Sequence, residues 1–237
     1  MEKAVKAYLA TYGFKVKKGV LTNASNGDIV WHLLDLPQTH FRFHYYYYQM
    51  SVHIHSCSLN EILYEVTDGK QDFRGAIGGP IRQVTSDGKD DVFFSEFFEE
   101  QPMEENMERF KHVFETKVWP VYQKFRYAKD VYTALAHNED KKYYSGFDYF
   151  YYPLAYFFDG SFEEAFKYID KRIDLMNKAY EEHKEMRGAS EFLENIDIFE
   201  AYKKNLKKWI EEKRQFKVDD DYLPIYDKNS FLKWFKK

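Results

Sequence analysis

Histidines, tyrosines and the only cysteine of the chain crowd one stretch, residues 40–57, which read HFRFHYYYYQMSVHIHSC. His53, His55 and Cys57 alternate with Ile54 and Ser56. On a strand, positions i, i+2 and i+4 share a face, so two imidazoles and a thiol would line up. These are zinc-ligand types, and one Cys with two His plus a water would make an open metal site. Strand rise sets successive same-face residues ~6.6 Å apart, so at most two of the three would reach one ion. No HExxH, CxxC or second His/Cys cluster supplies further ligands. Read as a nucleophile and its base, the trio needs a neighbouring oxyanion hole. A flat strand with no helix N-terminus aimed at it offers none. Histidines hydrogen-bonded on the sheet, with the cysteine packed as a small hydrophobe, account for the same residues. A metal- or thiol-dependent enzyme therefore stands as the alternative reading, and no cofactor is implied.

The alternation of the preceding residues carries more. His40, Arg42, His44, Tyr46 and Tyr48 share one side of a strand; Phe41, Phe43, Tyr45, Tyr47 and Gln49 share the other. The side that opens with two phenylalanines is expected to face the core. Arg42, His44, Tyr46 and Tyr48 are then the candidate binding surface. Tyrosine and arginine dominate protein-binding hot spots, and aromatics beside cations can also stack single-stranded bases. A net charge of −4 gives no basic footprint, and no RNP-like motif is present, so nucleic acid is disfavoured. The expected partner is another protein. An amphipathic strand with its phenols in water is the plainer competing account.

Composition qualifies this reading. Phe and Tyr number 22 and 21, and with four Trp they make 20% of 237 residues. They recur from Tyr8 to Phe235, so a compositional bias explains much of the enrichment. A single cysteine excludes an intramolecular disulfide and suits a reducing compartment. MEKAVKAYLATYGF lacks a signal peptide's apolar centre, and no run of 18 apolar residues exists. A cytoplasmic protein without a membrane span is expected; the oligomeric state is left open. Gly75-Ala-Ile-Gly-Gly-Pro80 lacks both the P-loop lysine and the GxGxxG order, and reads as a bend. The acids from Glu96 to Glu105 complement a helix N-terminus, and the lysines from Lys203 to Lys217 coat a helix's wet face.

Elements must position these groups. Val5, Tyr8, Leu9 and Tyr12 have helical spacing, so a helix spans residues 2–12, with Gly13 after it. Strands follow over residues 14–21 and 29–36, separated by an Asn/Ser/Gly turn and ended by Pro37. The aromatic run, 18 residues and roughly 60 Å if straight, is too long for a usual strand and should bend, bulge or turn between Tyr48 and Ser51, as one bent strand or two. Ser58-Leu-Asn-Glu61 is a capping box for a helix over residues 59–66. A hairpin around Ser86-Asp-Gly88 closes the strand-rich part. From Met103 the apolar period is helical, interrupted at Pro120 and resumed through Val121, Phe125, Ala128, Tyr132 and Leu135. Ser161-Phe-Glu-Glu164 opens another helix, and Ser190 a third. Residues 219–227 read as a surface connection and residues 230–237 as a tail helix. The class is α+β: an N-terminal helix, an antiparallel sheet of five or six strands, then three or four helices on one face. One domain is expected, sheet-rich over residues 1–100 and helical over residues 101–237.

Tyr12-Gly-Phe-Lys-Val-Lys-Lys-Gly19, following a short helix and preceding strands, resembles the start of the DUF4304-like bacterial domains, and Tyr152-Pro-Leu-Ala-Tyr-Phe-Phe158 is similar in style to their later segment. The resemblance takes in the opening helix, the strands through the aromatic run, and that later segment. It implies a helix, an antiparallel aromatic sheet and closing helices, with no catalytic residues to carry over. It suggests an immunity, defence-accessory or regulatory role.

Overall fold

Backbone pairing in the N-terminal half follows from alternation. The computed structural model describes residues 2–17, 20–26, 28–40, 45–70, 77–80, 96–97, 102–137, 148–219 and 221–223. Helix α1 (Glu2–Ala10) leads into strands β1 (Lys15–Lys17), β2 (Val20–Asn26), β3 (Ile29–His40) and β4 (Tyr45–Ser56). Then come helix α2 (Cys57–Val66), strand β5 (Ile77–Pro80) and strand β6 (Glu96–Phe97). Helix α3 (Met103–Val113) continues through a π-helical turn (Phe114–Val118) into α4 (Trp119–Lys124), followed by α5 (Ala128–Ala136). A 3₁₀ turn (Asp148–Phe150) opens α6 (Tyr151–Phe158), then α7 (Phe162–His183) and α8 (Ser190–Glu211), and β7 (Phe216–Val218) pairs with β8 (Asp221–Leu223). The fold is α+β, with an antiparallel sheet and a C-terminal set of helices.

The chain sorts into two compact units that do not follow its sequential halves. One comprises residues 1–57, 74–131 and 138–148; the other comprises residues 58–73, 132–137 and 149–237.

The first unit holds the sheet, in the order β1-β2-β3-β4-β5, with β6 also on β4. Residues 29, 31 and 33 of β3 and 52, 54 and 56 of β4 are buried, and a helical layer covers them. Trp31 stacks on Tyr122 at 5.2 Å between ring centroids and meets Trp119 edge-on at 5.6 Å. Two polar ties lock the layers. The Trp31 Nε1–H donates to the Phe125 carbonyl at 3.0 Å, and the Tyr122 hydroxyl donates to the His32 carbonyl at 2.9 Å. The π-helical turn lies immediately before Pro120, whose missing N–H cannot continue the α-helical ladder. Its Glu115 accepts hydrogen bonds from Tyr8 (2.5 Å) and Tyr12 (3.0 Å), tying α1 to the turn. Those phenols, Tyr8 first, hold the Glu115 carboxyl below its ordinary value.

Several expected boundaries move. The strand expected over residues 14–21 is two, β1 and β2, paired as a hairpin. The expected Asn23–Gly27 turn cluster is strand up to Asn26, with a bulge between Asn23 and Asn26. Pro37 does not end β3, which runs to His40. β2 accompanies β3 only as far as Leu33, so from Leu34 onward, among the described residues, that side of β3 is an edge. An edge is where a strand tolerates a residue without an N–H. Nor does a bulge or turn interrupt the chain between Tyr48 and Ser51: β4 pairs with β3 without a break from Tyr45↔His40 to Ser56↔Ile29. Residues 41–44 and the hairpin expected around Ser86 lie outside the described residues. β5 and β6 lie along different stretches of the same side of β4, with Ile77 opposite Ile54 and Glu96 opposite Tyr47.

In the second unit, α6, α7 and α8 form an aromatic-cored bundle. Phe150, Phe157, Phe199, Tyr202 and Trp209 are buried, and the Tyr202 hydroxyl donates to the Phe150 carbonyl at 3.1 Å. α2 is fixed at its C-terminal end by Asn205, whose Nδ2 donates to the Val66 carbonyl at 3.0 Å, and by the Arg214 fork on Glu65. The capping-box serine at 161 does precede α7, but its side chain makes no cap bond and lies 3.3 Å from Asp159 instead. Ser190 is the first residue of α8, with Ala189 at the cap position. Residues 216–218 and 221–223, the latter expected as part of a surface connection, form the β7–β8 pair. Asp219 takes the positive φ (+55°) of its turn, a conformation Asp tolerates. The tail expected to be helical lies outside the described residues.

Candidate functional site

The histidines of the run find their places through β3–β4 pairing. His32 stands directly opposite His53, and Val30 opposite His55. His32, His53 and His55 therefore occupy the sheet face opposite the buried Trp31, Leu33, Val52 and Ile54, and all three are half-buried. The three rings do not converge on one point. His32 Nδ1 lies 3.2 Å from the Thr22 hydroxyl on β2, toward one side of the sheet. His53 leans the other way, over Gly78 on β5: a Cβ at residue 78 would come within 2.4 Å of the His53 Nδ1. The His32 and His55 rings meet edge-on with centroids 6.3 Å apart. Burial lowers the His53 imidazole below its ordinary value, so it is neutral at pH 7.

Cys57 does not join this row. The strand ends at Ser56, and Cys57 is the first residue of α2. The alternation that would have set the thiol beside the imidazoles stops one residue too soon. Asp28 builds that corner: its carbonyl accepts the Cys57 N–H at 2.9 Å and its carboxylate accepts the Ser56 hydroxyl at 2.5 Å. Among the described residues no three His, Cys, Asp or Glu side chains are grouped to hold a metal ion. Of the three ligands that the metal reading named, His53 leans over Gly78, His55 meets His32 edge-on, and Cys57 has left the strand. The thiol is half-buried.

Of the residues expected to form a contact surface, Arg42 and His44 lie outside the described residues. Tyr46 and Tyr48 sit on β4 opposite Thr39 and Pro37. The register reassigns the faces, however. The buried positions of β4 are the even ones, 52, 54 and 56, and pairing continues from them to Tyr45 without a slip. Residues 46 and 48 stand in that core-side alternation. Residues 45, 47 and 49 share the alternation of His53 and His55. The phenylalanine-led parity, expected to face the core, is over the described part of β4 the parity of the half-buried histidines.

Two residues that sequence reasoning passes over complete the row. His32 carries no local signal, because only the β3–β4 register brings it opposite His53. Gly78 reads as part of a bend, but it lies within β5 and leaves room for an imidazole. Comparison with protein-family models, curated proteins and solved structures finds no match for this chain. No helix among the described residues is long and apolar enough to cross a membrane.

Proposed function

We propose that this chain is a non-enzymatic protein-interaction module, binding another protein through the face of β3–β4 that carries His32, His53 and His55. The observation that supports the reading is this row of half-buried imidazoles on the face opposite the Trp31–Tyr122 core. A face meant for interior packing would carry aliphatic side chains; a face meant only for water gains little from stiff, half-buried rings. Amphipathic rings that keep one polar edge accessible suit a contact surface. The imidazoles are engaged with separate neighbours, Thr22 and Gly78, which favours positioning over joint catalysis. Among the described residues β3 has an edge from Leu34 onward, and Pro37 there opposes strand addition, so the face, rather than the edge, is the proposed contact. Tyr45 and Tyr47 extend that alternation toward the far end of β4. The net charge of −4 favours a protein partner over nucleic acid, and the single cysteine suits a reducing, cytoplasmic setting.

Affinity capture from the native host, quantified by mass spectrometry, tests the reading. Wild-type chain is expected to retain a partner that His55→Glu and Tyr47→Ala lose, with circular dichroism and Tm confirming that each variant is folded. Tyr46→Ala, when folded, is expected to retain it. No specific partner, or equal retention by all variants, would refute the proposed face.

A further inference from the structure

Arg172, on α7 in the second unit, is placed unlike the paired charges around it. Its guanidinium lies against aromatic rings, with Cζ 4.5 Å from the Tyr149 ring centroid and 6.0 Å from that of Tyr168. Tyr168 in turn packs against Tyr152 and Tyr156 of α6, at 5.4 and 6.3 Å between centroids. Of the acidic groups on α7 before Arg172, Asp170 pairs with Lys203, and Glu163 and Glu164 with Lys167. Among the described residues Arg172 makes no hydrogen bond and no ion pair, and its Nε is buried without an acceptor. By contrast, Arg214 places its fork on the Glu65 carboxylate while its face covers Trp209 and Phe216. Arg172 repeats half of that arrangement: the aromatic support is present and the carboxylate is missing.

A guanidinium carries five N–H donors in a rigid plane, and its natural counterpart is a carboxylate or phosphate. Stacking against a ring fixes the plane before any ligand arrives, so little side-chain freedom remains to be lost on binding. Leaving a buried donor unmatched is unfavourable, and an acceptor brought by a ligand would relieve it. We propose that Arg172, supported by Tyr149 and Tyr168, is a binding site for the oxyanion group of a ligand, a carboxylate or a phosphate. The site lies wholly within the second unit and is independent of the histidine face.

The test is a titration followed on the side-chain Nε–H signals in ¹H–¹⁵N spectra of the full chain. The Arg172 signal is assigned by its loss in Arg172→Lys. Sodium phosphate and sodium acetate are added separately, each against sodium chloride at matched ionic strength. The signal is expected to move saturably with at least one oxyanion and not with chloride. A response to phosphate alone identifies a phosphate-bearing ligand, to acetate alone a carboxylate, and to both an unselective oxyanion site. Backbone amides around Tyr149 and Tyr168 should respond in wild type and lose at least three-quarters of their saturable shift in Arg172→Lys. Because the wild-type titration stands alone, the test survives a poorly folded variant. Equal shifts with chloride, no saturation, or an Arg172→Lys variant that responds like wild type would overturn the site.

Discussion

Glycine at position 78 and histidine at position 53 form one structural unit, although they belong to different strands, β5 and β4. The imidazole occupies the space a side chain at residue 78 would need, since a Cβ there would lie 2.4 Å from Nδ1 and 2.9 Å from Cγ. Contacts that short are repulsive, so either the ring rotates about χ1 or β5 moves off β4. Gly78→Ala is expected to destabilise the chain by about 1–3 kcal/mol, the usual range for overpacking. The loss should shrink in a His53→Ala background, where the clash is absent. A double-mutant cycle by urea denaturation measures the coupling, which should exceed about 0.5 kcal/mol for residues in contact. Additive losses would mean that Gly78 is needed for its backbone rather than for the room it leaves. The pair also explains what one residue type conveys in a sequence. A glycine inside a short strand looks like a bend until the neighbour across the sheet is known.

Elements are legible where one chemical period runs unopposed, and misread where pairing outweighs a local signal. α1, α3 and α7 follow from apolar spacing, and their stripe residues Leu9, Phe110, Phe162, Ala165 and Ile169 are buried. Pro37 is a local stop signal, yet β3 continues through it because β4 supplies a partner on one side and β2 has ended on the other. The four tyrosines resemble the limit of a strand, yet twelve continuous pairs hold β4 as one element. The histidine face is only half visible in the sequence. His53 and His55 announce themselves by alternation, whereas His32 and Gly78 join through registers that no local pattern specifies. Alternation misplaces Cys57 because the strand-to-helix corner depends on Asp28, which precedes β3 beside the same end of the β3–β4 pair but lies remote in sequence. The helical layer is joined to the sheet by contacts equally remote in sequence, and one of them can be weighed. Tyr122 is fully buried, and its hydroxyl is a donor to the His32 carbonyl. Tyr122→Phe keeps the ring on Trp31 and removes only the donor. It is expected to cost about 1–2 kcal/mol, typical of a buried acceptor losing its partner. Thermal or urea unfolding checks this, and a change below ~0.3 kcal/mol, well under the usual net worth of a hydrogen bond, would mean that the bond contributes nothing net.

At the scale of the whole molecule, the chain's change of character near residue 100 does not coincide with a structural division. The residues up to 100 hold every strand of the main sheet, which invites treating them as a separable part. Yet the rings that cover the sheet's core face come later: Phe114 packs on Phe14, and Trp119 and Tyr122 pack on Trp31. Phe110, Phe114, Tyr122 and Phe125 are all buried. Fully burying one such aromatic contributes about 1.5–3 kcal/mol, so removing four forfeits an amount comparable to the entire stability of an ordinary domain. A fragment ending at residue 100 would expose Leu9, Phe14, Ile29, Trp31 and Leu33 together, and is expected not to fold alone. The same reasoning extends to a larger piece. A fragment of residues 1–148 retains the rings from Phe110 to Phe125 and every segment of the first unit, and should recover native-like structure over it. ¹H–¹⁵N spectra decide both cases. Collapsed amide dispersion is expected for residues 1–100, and dispersed sheet resonances with the Trp31 indole shift of the full chain for residues 1–148. A well-dispersed spectrum from the shorter fragment would show that the sheet carries its own core and that the later helices merely cover it.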